Sequence, residues 1–80
     1  MNSPRPQDFL LNTVLGTRVV IRYREGSALT DALGYLVTIT DVACTVRTRR
    51  SDVEIPLALV VAAKEVPPPP APRNARPAPH

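Results

Sequence analysis

Residues 17–40 read TRVVIRYREGSALTDALGYLVTIT. Two stretches of mixed apolar and polar residues flank a Glu-Gly-Ser break. Their period is that of a β-strand, in which successive side chains point to opposite faces. In the first stretch Val19, Ile21 and Tyr23 fall on one face, and Arg18, Arg22 and Arg24 on the other. In the second, from about Leu29 to Thr40, Leu33, Tyr35, Val37 and Ile39 share the face expected to turn inward. Gly34 falls mid-strand, where a small barrel bends or bulges.

Upstream of this pair, DFLLNTVLG (residues 8–16) predicts a short helix. Phe9, Leu10, Val14 and Leu11 lie towards one side, with Asp8 as its cap and Gly16 as its end. Downstream, Asp41 marks a turn. CTVRT (44–48) and DVEIP (52–56) follow as a third and a fourth strand. LAL (57–59) has room for a single helical turn, and VVAAKEV (60–66) is a fifth strand. Short strands separated by turn signals predict an all-β fold, a small five-stranded antiparallel barrel with a short N-terminal helix. The expected core is Val19, Ile21, Leu33, Leu36 or Val37, Ile39, Val46, Ile55, Leu59 and Val61.

At 80 residues the chain suits one small domain. Residues 1–7 are expected to be loose and residues 8–66 to form the barrel. Most of the ten prolines lie in residues 67–80, PPPPAPRNARPAPH, where no aliphatic side chain exceeds alanine. Such a segment cannot bury enough to offset its ordering entropy, so it reads as a disordered tail or linker, partly in polyproline II. No apolar run follows a basic start, and PLALVVAA is too short to span a bilayer, which predicts a cytoplasmic protein without a membrane partner. The single cysteine, Cys44, lies in an apolar strand and reads as a small core residue. The single histidine, His80, is the last residue. These counts leave no expected metal site, cofactor site or Cys–His pair, and the scattered glycines make no phosphate-binding loop. The expectation is a chain that is not by itself an enzyme.

The net charge is +3 and the pI about 9.8. Two of those charges, Arg73 and Arg76, belong to the tail. Between residues 16 and 66, Arg18, Arg22, Arg24, Arg47, Arg49, Arg50 and Lys64 nearly balance Glu25, Asp31, Asp41, Asp52, Glu54 and Glu65. The stretch TVRTRRSDVEIP (45–56) concentrates this question. With Arg50 and Ser51 at the turn, Arg49 faces Asp52 and Arg47 faces Glu54, and the arginines are engaged structurally. Arg-Ser is not a favoured two-residue turn, which leaves room for a longer loop. Arg22, Arg24, Arg47, Arg49 and Arg50 are the candidate surface contacts, able to hold phosphate if they converge. Stacking platforms are few, since Phe9, Tyr23 and Tyr35 are the only aromatic residues. KEVPPPP (64–70) has the order of a polyproline ligand, but a plain linker is the simpler reading. With so few aromatics the domain itself reads as a poor receptor for such a ligand.

The segments LGTRVVIRYR, LTDALGYLV and VRTRR with EIPLALVVAAKEVPP, in that order over about fifty residues, resemble the SH3-like domain at the N-terminus of actinobacterial GNAT-type acetyltransferases. In that family a proline-rich linker and the catalytic domain follow the barrel. The acetyl-CoA loop of those enzymes has no counterpart here, so no catalytic residue carries over. The resemblance implies an accessory module whose partner is a GNAT catalytic domain in cis or in trans, and either an excised N-terminal module or a short stand-alone relative. A looser resemblance, carried by QDFLLNTVLGTRVVIRYREG, is to Sm-like proteins such as the RNA chaperone Hfq, and implies nucleic-acid binding. The loops TDVAC and RRSD lack the polar and aromatic pattern with which Sm-like rings read RNA.

Overall fold

The computed structural model describes residues 5–69. Helix α1 (Pro6–Leu11) leads into strands β1 (Arg18–Glu25), β2 (Ala28–Ile39), β3 (Ala43–Arg47) and β4 (Asp52–Pro56). A 3-10 turn (Leu57–Leu59) then delivers β5 (Val60–Glu65). The strands form one antiparallel sheet in the order β4-β3-β2-β1-β5. The five expected strands and the single turn at LAL are all present. The expectations for residues 1–4 and 70–80 lie outside the described residues.

One face of the sheet carries the core. Every strand contributes: Val19 and Ile21 from β1, Ala32 and Leu36 from β2, Cys44 and Val46 from β3, Ile55 from β4 and Val60 from β5. Leu57 on the 3-10 turn and Leu10 on α1 complete it. A six-residue helix cannot cover five strands, so the sheet must curl over its own apolar face, as in a small barrel. Gln7 pins the helix in place: its side-chain amide donates to the carbonyls of Leu57 (2.8 Å) and Val60 (3.2 Å).

The helix starts earlier than the sequence implies. Pro6 takes the first helical position, where its missing N–H costs nothing, and Asp8 sits in the first turn without capping it. The helix also ends earlier, so Leu11 and Val14 are exposed and Leu10 alone is fully buried, with Phe9 packed against the core.

The larger correction concerns β2. Leu33 and Tyr35 point outward, 44% and 40% exposed, while Ala32, Gly34 and Leu36 point inward. The β1–β2 turn explains this. Gly26, at φ +62°, and Ser27 form a two-residue connection that fixes Glu25 opposite Ala28. Paired residues share a face, so Ile21 brings Ala32 inward and Val19 brings Gly34. Ile39 still reaches the core, because an irregularity between Leu36 and Thr38 in the β2–β3 pairing resets the alternation and sets Ile39 opposite Cys44. A similar irregularity in the β1–β5 pairing leaves Val60 and Leu57 buried in place of Val61 and Leu59, which are each 39% exposed.

Candidate interaction surface

The outward face of the sheet carries the charged side chains singled out by sequence. Arg22 on β1 lies opposite Asp31 on β2. Its Nε donates to Oδ1 at 2.9 Å and its Nη2 to Oδ2 at 3.4 Å. Arg47 on β3 pairs with Asp52 on β4 in the same two-pronged way, at 2.9 and 3.2 Å. In each pair the hydrogen bond and the charge of the arginine hold the carboxyl below the usual carboxylate range, and the aspartate holds the guanidinium above its own.

The β3–β4 register differs from the sequence expectation by two residues. Arg47, not Arg49, faces Asp52, and Glu54 faces Thr45. The cause is Thr48. Its hydroxyl donates to the Ser51 carbonyl (2.8 Å) and accepts from the N–H groups of Arg50 and Ser51 (3.2 Å each), and its own N–H donates to Ser51 O (2.9 Å). This closes residues 48–51 into a four-residue loop in place of a turn centred on Arg50 and Ser51. Arg49 and Arg50 therefore project from the loop, exposed, and Arg24 projects from β1 opposite Leu29. Among the described residues these three form no ion pair.

The five candidate arginines do not gather at one point. Arg24 is level with Leu29 and Arg47 with Tyr35, six residues along β2, a separation of about 20 Å at about 3.4 Å per residue. What does gather is a groove at the other end of the outward face, lined by Arg18, Leu33, Tyr35, Arg47, Thr48, Arg49 and Pro69, with a volume of about 480 Å³. Gly34 forms part of its floor. A Cβ there would collide with the Arg47 carbonyl oxygen and lie 2.7 Å from the carbonyl carbon, so only glycine lets β3 approach this closely. Arg18 and Tyr35, absent from the sequence-based candidates as a pair, are direct neighbours in the register. The two-residue turn at Gly26 was the signal that could have turned Tyr35 outward in the sequence reading.

The described residues hold little reactive chemistry. Cys44 is fully buried, and burial pushes its thiol up to about 11, far from a nucleophilic thiolate at neutral pH. Among them no group of three or more His, Cys, Asp or Glu is placed to hold a metal ion. None of their helices is long and apolar enough to cross a membrane.

Residues 13–64 match the family model described as the Rv0428c N-terminal Sm-like domain, and the chain belongs to that family. Comparison with curated proteins and with solved structures gave no match.

Proposed function

We propose that this member of the Rv0428c N-terminal Sm-like domain family is a non-catalytic interaction module, acting beside a GNAT-type acetyltransferase domain in cis or in trans. The observation that carries the reading is the use of charge on its outward face. Arg22 and Arg47, the two candidate arginines in the strands that face acids, are bound two-pronged by Asp31 and Asp52. Leu33 stands exposed between the two pairs, with Tyr35 exposed opposite Arg47 and Leu29 opposite Arg24 on the same face. Neutralised charge around exposed apolar side chains suits a protein surface better than a polyphosphate. The acetyltransferase context rests on the resemblance in the order of segments to that group of enzymes and on the proline-rich sequence after β5.

Two measurements test it together: acetyl-CoA turnover by the full chain alone, and calorimetric titration of the chain with a GNAT domain from the same source. The expected result is no turnover and a saturable association that changes little with salt. RNA binding that persists at physiological salt, with no association with the acetyltransferase domain, overturns the reading. That second reading, a nucleic-acid-binding Sm-like module, is favoured by one observation: Arg24, Arg49 and Arg50 have no carboxylate partner among the described residues.

A further inference from the structure

The groove around Tyr35 has a neighbour whose direction is already set. After β5 the backbone pairing continues one step, with the Val66 N–H donating to Arg18 O at 2.9 Å. The Arg18 guanidinium then donates from Nη1 to the Pro67 carbonyl at 2.7 Å. Two residues later Pro69 lines the groove itself, with Leu33, Tyr35 and Arg49. Pro67–Pro69 thus leave the edge of the sheet and turn onto its outward face.

The register supplies a track for it. Arg18, Tyr35, Arg47 and Asp52 are paired in sequence across β1, β2, β3 and β4, a single row perpendicular to the strands. Pro67 meets the first member of this row, Arg18, and Pro69 lines the groove beside the second, Tyr35.

The chemistry agrees as well. Residues 67–72, PPPPAP, carry no charge and only one N–H, that of Ala71. The segment therefore presents carbonyl acceptors almost alone, and the arginines that line the track offer donors alone. Flat proline rings pack on an exposed tyrosine, and the polyproline conformation is stiff before it binds, which lowers the ordering cost.

We propose that the Tyr35 groove is a polyproline-binding surface and that its occupant is the start of this chain's own proline run, Pro67–Pro69, held by Arg18 and seated beside Tyr35. The domain carries its own cover, and Leu33 and Tyr35 are open to another protein only when that run lifts. This assignment stands apart from the acetyltransferase reading and survives its failure.

Nuclear magnetic resonance of the full chain tests it. Nuclear Overhauser contacts are expected from the Tyr35 ring to proline ring protons of residues 68 and 69, unchanged on twentyfold dilution. Replacing residues 67–72 by alternating glycine and serine at the same length removes those contacts. It also shifts the amides of Leu33, Tyr35, Thr48 and Arg49, while Ile55 and Leu57 in the core stay where they are. As a reciprocal check, the exposed substitution Tyr35→Ala moves the signals of the proline rings. Absence of the contacts, with groove amides indifferent to the replacement, overturns the proposal. Contacts that fade on dilution also overturn it, because the occupant is then the run of a second copy.

Discussion

Gly34 shows how a single missing atom shapes this molecule. Its position is buried, and the end of β3 lies against it so closely that a methyl group has no space. The obstacle is the Arg47 carbonyl, which is held in the sheet and cannot rotate away as a side chain would. Gly34→Ala is expected to cost about 3 kcal/mol, the upper part of the range for overpacking. Urea denaturation measures it, and a loss below about 1 kcal/mol would mean that β3 is free to move. Cys44 acts through its proton. Burial raises its thiol from 9.0 to about 11. The unfolded chain therefore releases that proton first. Stability held below about pH 9 is lost as pH rises towards about 11, because a folded value above the unfolded one favours folding only while the proton stays on. Cys44→Val should remove this alkaline slope. A thermal melting series from pH 8 to 11 on both proteins decides it.

At the scale of elements, β2 is the instructive case. Its existence was legible, because the period-two pattern survives from Leu29 to Ile39. Its orientation was not, because apolar residues occupy both faces: Leu29, Leu33 and Tyr35 on one, Ala32, Leu36 and the small Gly34 on the other. Bulk pointed to the wrong face, and the turn decided otherwise. Gly26 and Ser27 fix the pairing with β1, and the face follows from the pairing. The same logic governs β3–β4, where the arginines and acids were visible but the Thr48 loop that pairs Arg47 with Asp52 was not. The groove was hidden for the same reason, since it requires an outward Tyr35. A substitution pair separates the two orientations. Leu36→Ala is expected to cost about 2–5 kcal/mol, as for any fully buried leucine. Leu33→Ala is expected to change stability by about 0.5 kcal/mol or less, as for an exposed site. Equal losses would restore the face read from bulk alone. The two cross-strand pairs respond to acid. Asp31 and Asp52 titrate below their unfolded value, so the stability they contribute is present above about pH 4 and fades as pH falls through their folded values. Asp31→Asn with Asp52→Asn should flatten the acid side of the melting profile.

The whole molecule poses the question of what its positive charge is for. The sequence counts six arginines between residues 16 and 66. Charge alone makes RNA a natural partner, but an arginine already bound to a carboxylate releases little counterion when it meets a phosphate. The salt dependence of binding therefore counts the arginines that are free. For a single-stranded ligand the slope of log K against log salt is about −0.7 per phosphate neutralised. If Arg18, Arg24, Arg49 and Arg50, which have no carboxylate partner among the described residues, alone engage, the slope is about −3; if Arg22 and Arg47 join them, it is about −4. Arg73 and Arg76 would add to either value, so the full chain carrying Arg73→Gln and Arg76→Gln is the right reagent. Whatever association with a labelled single-stranded RNA low salt permits, the expected slope is no steeper than about −3. Adding Arg22→Gln and Arg47→Gln should then lower the melting temperature and leave that slope unchanged. A slope near −4 that falls with those two substitutions would mean that phosphate outcompetes Asp31 and Asp52 for their partners. The outward face would then be a nucleic-acid surface held in reserve by its own ion pairs.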